Sequence, residues 1–226
     1  MKRSDQIVLT ALFVMMIAAL YCAFIYAPTE SVMGTVQRIF YFHVASAWVG
    51  LLSFFFVFLG GVLYLWKREE KYDHLSHAAA EMGVLFCLVV LVTGPIWAKP
   101  VWNVWWTWDP RLTSTFILWL IYVAYLLFRS SLRHHPSIRV YSAVYGIIGF
   151  VDVPIVWMSI RWWRTIHPTV LTSQKINLDP KMWTSVLVCF AALLLLYFVF
   201  VRLRIDLERT RERIDQIQEK ILEAQL

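Results

Sequence analysis

The chain has 226 residues, 60% hydrophobic and 16% charged, with a formal net charge of +6 and a mean hydropathy of +0.62. That balance excludes an ordinary soluble globular domain and points to an all-α polytopic membrane protein, because apolar runs near bilayer-crossing length recur along it. The basic excess does not point to nucleic acid, since the lysines and arginines sit between the apolar runs rather than on one amphipathic surface.

Six transmembrane helices are predicted, at about 7–26, 40–66, 78–97, 113–128, 140–160 and 182–201. The first follows Lys2 and Arg3. Its apolar run is too long for the core of a cleaved signal peptide, so it is read as a retained span. The second opens on Arg38-Ile-Phe-Tyr-Phe-His43-Val-Ala-Ser-Ala-Trp48, which places His43 at a membrane boundary.

Between the third and fourth spans lies Trp97-Ala-Lys-Pro-Val-Trp102-Asn-Val-Trp105-Trp106-Thr-Trp108-Asp109-Pro-Arg111-Leu-Thr113. Indoles gather where one edge is apolar and the other wet, so this segment reads as a surface at the membrane rim. Prolines 95, 100 and 110 are expected to interrupt it. A short interfacial helix between Pro100 and Pro110 would put Trp102, Trp105, Trp106 and Asp109 on one face, with Trp108 turned elsewhere. Asp109 is more than an aromatic anchor requires; it suits an indole N–H or a backbone amide.

The fifth span contains Asp152 and Pro154. A carboxylate at membrane depth is either functional or satisfies backbone freed near the proline, and both readings stay open. After this span comes Arg161-Trp162-Trp163-Arg164-Thr-Ile-His167-Pro168, a second histidine beside indoles. No Gly/Ser/Pro-rich linker divides the chain, so residues 1–201 are read as one six-helix domain and 202–226 as a tail helix. In that tail Leu207, Ile214, Ile217 and Ile221 recur at near-heptad spacing, which fits either a solvated helix or a docking one.

An even number of spans puts both termini on one side. The N-terminus, the 67–77 and 129–139 loops and the tail hold fourteen lysines and arginines, against seven in the opposite loops, which assigns the termini to the cytoplasm. His43, the tryptophan segment and His167 then share the outer face. His74, His77, His134 and His135 fall in cytoplasmic loops and are expected to be solvated. Cys22, Cys87 and Cys189 are scattered in apolar runs with no C-x-x-C or C-x-x-C-H, so they read as small buried hydrophobes. Neither a phosphate-cradling glycine loop nor a nucleophile elbow occurs.

Two neutral imidazoles flanking an indole-rich surface suit a haem, with its broad π-face and two carboxylates. His43 and His167 are therefore the candidate axial ligands. Trp97, Trp102, Trp105, Trp106, Trp108 and Asp109 form the candidate platform, and Lys99, Arg111, Arg161 and Arg164 are candidate partners of the haem propionates.

The run Trp102 to Thr113 resembles the WWD signature of haem-handling membrane proteins of cytochrome c maturation, the CcmC/CcmF/CcsA superfamily. The Arg38–Trp48 segment is similar to the first histidine motif of its small six-span family, haem exporter protein C (CcmC), and the stretch from Val153 to His167 to the second. The resemblance covers most of the chain from the second to the sixth span. It implies a non-enzymatic subunit in a bacterial inner membrane that presents haem b, bound as cargo, on the periplasmic face. Transfer would go to a membrane-anchored, CcmE-like haem chaperone. CcmA/CcmB-like ABC transporter subunits, one of them the site of ATP hydrolysis, and a small CcmD-like subunit would be the other partners. Asn103 stands where the pattern usually has Gly and is the non-Gly residue that best tolerates positive φ. Pro110 follows the Asp and is expected to end the short helix early. The competing readings are a b-type cytochrome electron-transfer subunit, a final haem ligase (which needs more spans) and a transmembrane haem exporter.

Overall fold

The computed structural model describes residues 3–133, 135–165, 167 and 178–223, with backbone alone at 219 and 222. His134, Pro168 and Lys2, named above, lie outside the described residues, as does Lys175, one of the seven cations counted in the opposite loops. Six helical segments are long and apolar enough to cross a membrane. They comprise α1 (Arg3–Tyr21, prolonged by a π-helical turn Cys22–Tyr26), α2 (Ile39–Lys67), α3 (Glu70–Trp102), α4 (Pro110–Ser131), α5 with α6 (Ile138–Gly149 and Asp152–Trp162) and α7 (Pro180–Glu223). A short 3-10 turn, Thr35–Arg38, leads into α2.

α2 is the central helix, packed on α3, α5 and α7, while α1 lies outside on α7. Its close neighbours are possible because Gly60 and Gly61 face different helices. A Cβ at Gly60 would meet the Tyr72 carbonyl of α3 at 2.8 Å, and one at Gly61 the Ala143 carbonyl of α5 at 3.0 Å. Small residues at such crossings let backbones approach where lipid supplies no hydrophobic drive. Ser53 and Ser76 donate to the Ala79 and Val57 carbonyls at 2.6 and 3.1 Å, stitching α2 to α3. Gly60→Ala is expected to cost about 1–3 kcal/mol, since the obstructing atom is backbone and cannot rotate away; a denaturant titration of the detergent-solubilised protein measures it.

Two apolar clusters fill the bundle. One joins α1, α2, α3 and α7 around Tyr41, Val49, Phe86, Cys189 and Tyr197. The other joins α2, α3, α4 and α6 around Phe54, Leu118, Tyr122 and Val156, with Phe54 and Tyr122 stacked at 4.0 Å. Cys87 and Cys189 are buried and Cys22 half-buried, all three as free thiols. The end of α1 is capped by a cation, as the helix dipole favours: Arg38 donates to the Ala23 carbonyl at 3.2 Å and to that of Phe24.

Two expectations about the tryptophan segment are corrected. Pro95 and Pro100 do not interrupt α3, which runs through both to Trp102. Each proline removes one N–H, which a helix packed among membrane neighbours tolerates. No interfacial helix forms between Pro100 and Pro110, because α3 ends on Asn103 at φ 58° and residues 103–109 are non-helical. The fifth span is two helices that meet at Phe150 and Val151. Pro154 has no N–H for the Phe150 carbonyl, which accepts instead from Val153 at 3.0 Å. Asp152 then sits in the first turn of α6, with one carboxylate oxygen buried and unpartnered among the described residues.

The 67–77 stretch is likewise not a loop. α3 begins at Glu70, so His74 is buried at 4% exposure and its Nε2 lies 2.9 Å from Glu212 rather than in solvent. His77 is half-buried and lies within 3.6 Å of Glu81 and Glu208. His135 does stand in a loop, where its Nδ1 accepts from the Ser137 amide. α7 continues without a break through residue 202, so the tail is an extension of the sixth span.

Candidate functional site

Loops 27–34 and 103–109 and the described residues that follow α6 (163–165 and 167) all lie on the side opposite the start of α1 and the end of α7. At that rim one cleft is lined by His43 of α2, Gly94, Pro95, Trp97, Ala98 and Trp102 of α3, Trp106 of the following loop, and His167. The two histidines, from distant parts of the chain, share the cleft with three indoles. The cleft is narrow, with a cavity volume of about 50 Å³, below the usual range of small-molecule sites.

His43 is held to α3 by a hydrogen bond with Thr93. Thr93 has one hydroxyl hydrogen, and its Oγ1 donates to the Val89 carbonyl one helical turn back at 2.7 Å. The same oxygen lies 2.8 Å from His43 Nδ1, so there it accepts. With the Thr93 hydrogen on the Val89 carbonyl, the imidazole carries its proton on Nδ1 and its lone pair on Nε2, the form in which a neutral histidine binds a metal. Gly94 leaves the neighbouring space open: a Cβ there would lie 3.5 Å from His43 Cε1. Trp97 is buried at 3% exposure, 6.1 Å from the His43 ring and 5.7 Å from that of Trp102. Its indole Nε1 is buried with no partner among the described residues, which leaves a donor for a bound polar group.

His167 is positioned through the tryptophan loop. Asp109 is the N-cap of α4, with Oδ1 accepting from the Arg111 amide at 2.9 Å. The same oxygen accepts from Thr165 Oγ1 at 2.8 Å, and Thr165 Oγ1 accepts from the His167 amide at 3.0 Å. Asp109 therefore ties the His167 segment to the start of α4. Pro110 takes the first helical position, where a missing N–H costs nothing. Asp109→Ala removes both the cap and the tie and is expected to cost about 1 kcal/mol of stability. Thr165→Val removes only the tie. Its folding midpoint in a denaturant titration should stay unchanged while occupancy of the cleft, followed by absorbance, falls.

The other predicted residues separate. Trp105 and Trp108 are 58% and 74% exposed and do not line the cleft; Trp108 packs edge-on against Trp106 at 5.9 Å. Lys99 Nζ donates to the Asn103 carbonyl and Oδ1 at 3.2 and 3.1 Å, closing the end of α3. Arg111 Nη1 donates to the Val156 carbonyl at 2.5 Å, pinning α4 to α6. Arg161 and Arg164 are exposed and outside the cleft lining. Sequence reasoning missed Thr93, Gly94 and Thr165. The signal for Thr93 and Gly94 was their adjacency, two small residues together in an apolar span, which acquires meaning only once α2 is packed against α3.

Fold and cleft together define a polytopic membrane protein with a narrow, indole-walled cleft at one rim that holds two histidines. The family model described as Heme exporter protein C matches residues 1–220, and the chain belongs to that family. It is similar to a ccmC-like mitochondrial protein of cytochrome c biosynthesis from Marchantia polymorpha, 33% identical over 88% of this chain and 85% of the relative. It is also similar to the Heme exporter protein C of Bradyrhizobium diazoefficiens, 28% identical over 85% of this chain and 74% of that one. The protein of that name from Escherichia coli K12 is 35% identical over 70% and 64% respectively. Membership assigns the chain to haem handling in cytochrome c biogenesis, alongside other components of that system.

Proposed function

We propose that the cleft presents haem b as cargo, with Nε2 of His43 and the imidazole of His167 as axial ligands to the iron. The observation that carries this reading is the pair of imidazoles on one indole-walled cleft. Trp97, Trp102 and Trp106 give the porphyrin its apolar cover, and the Trp97 N–H, without a partner among the described residues, adds a donor. Trp105, Trp108 and Asp109 support this surface from the same loop. Lys99, Arg111, Arg161 and Arg164 remain the cations available to the propionates; Lys99 and Arg111 must then exchange a backbone carbonyl for a carboxylate.

In this reading the termini are cytoplasmic, the membrane is the bacterial inner membrane and the cleft opens to the periplasm. One porphyrin edge stays accessible at the mouth, and a CcmE-like chaperone takes the haem there. ATP is hydrolysed by a CcmA-like partner working with CcmB-like and CcmD-like membrane subunits. The test uses haem-loaded protein in oriented proteoliposomes, with the soluble domain of a haem chaperone added to one side at a time. Haem should pass only to chaperone on the side opposite the termini. Transfer on the terminus side, or no transfer from either, overturns the reading.

A further inference from the structure

The extension of α7 past Val201 docks onto its own bundle by its charged face. Glu212 pairs with Arg139 at 2.8 Å and with His74 at 2.9 Å, Asp215 with Arg133 at 2.5 Å, and Glu208 lies 3.6 Å from His77. These acids sit on one side of the helix at 100° per residue. The opposite side carries Leu203, Leu207, Ile214, Ile217 and Ile221, each between 50% and 59% exposed. Soluble helices bury such a stripe and solvate the charged face; here the arrangement is reversed.

Three features say what covers the stripe. Its spacing is that of heptad a and d positions, the pattern that receives another helix. Its flanks are Arg211 on one edge and Asp206, Arg213 and Lys220 on the other, all exposed, so the border is cationic along its outer two-thirds. The tail's own Glu208, Glu212 and Asp215 face the bundle, so among the described residues a second copy of this chain brings one bordering acid, Asp206, to meet three cations. Lipid does not fit either. Ile214, Ile217 and Ile221 lie about 20–30 Å along the helix from Val201 at 1.5 Å per residue, past the end of the span.

We propose that this stripe is the docking site for an amphipathic helix of a different protein, with an apolar seam bordered by Asp and Glu, on the side of the membrane that holds the termini. The site is independent of the haem cleft at the opposite rim.

The test uses the full chain in lipid nanodiscs and two labelled synthetic helices that share Ile/Leu seams, one flanked by Glu and one by Lys. The Glu-flanked helix should bind saturably, one per chain. Its affinity should fall at least about tenfold in Ile214→Asp/Ile217→Asp, as expected for loss of central apolar anchors. Arg211→Glu/Arg213→Glu/Lys220→Glu should reject it and accept the Lys-flanked helix. Equal binding of both helices, or binding of neither, overturns the proposal. So does disulfide cross-linking of Ile217→Cys chains to each other in dilute proteoliposomes, which would make a second copy the occupant. Quenching of a fluorophore at that cysteine by a lipid-phase quencher would overturn it in favour of the bilayer.

Discussion

His43→Ala is expected to purify with haem occupancy reduced by roughly 100-fold or more, and Thr93→Val with occupancy reduced about 10–100-fold, the usual cost of removing the group that orients a histidine ligand. The two differ in kind. In His43→Ala the donor is gone, and free imidazole diffusing into the vacated space should restore a six-coordinate absorption spectrum. In Thr93→Val the imidazole remains, but nothing holds its proton on Nδ1. The ring is free to turn or to take the other tautomer, and added imidazole should not help. Thr93→Ser keeps the hydroxyl that donates to Val89 and accepts from His43, so it should recover most of the occupancy. A Thr93→Val protein with normal haem content and spectrum would show that the hydrogen bond orients nothing that matters. A His43→Ala protein with a normal spectrum would remove His43 from the iron altogether.

The existence of the six spans was legible because the bilayer imposes one length and one chemistry on them, and 7–26 or 182–201 satisfies both with no knowledge of neighbours. What such patterning does not encode is how a helix behaves at a proline. Pro95, Pro100 and Pro154 look alike in the sequence. The first two are carried inside α3, whereas Pro154 coincides with a break between α5 and α6. The same limit applied to the site. His43 and His167 were visible as histidines at a shared rim, and Asn103 as the residue able to adopt φ 58°. The flat face of tryptophans expected from a helix did not form. Trp97 and Trp102 reach the cleft from the end of α3 and Trp106 from the loop after it, while Trp105 and Trp108 turn outward. The role of Thr93 depends on α2 and α3 lying side by side, which no local pattern announces.

Asp73→Ala should be the most destabilising single change on the terminus side of the bundle, at about 3–5 kcal/mol. Asp73 and Arg129 are 2% and 8% exposed and form a two-pronged pair, at 2.7 and 2.5 Å, between the first turns of α3 and the last turn of α4. Removing the acid leaves a largely buried guanidinium that cannot lose its proton. Arg129→Met should cost less, because the carboxylate left behind still has Arg139 at 3.6 Å and can also accept a proton. Replacing both at once, as Asp73→Leu/Arg129→Leu, should recover much of the loss, since the expensive state is a charge without its partner rather than the absence of the pair. Denaturant titrations of the four proteins in one detergent would order them wild type, double variant, Arg129→Met, Asp73→Ala. If Arg129→Met proved as damaging as Asp73→Ala, Arg139 would not be sharing the carboxylate. The wider net of Arg139, Glu70, Glu212 and His74 that joins α3, α5 and the tail would then be a set of separate surface pairs, each worth little on its own.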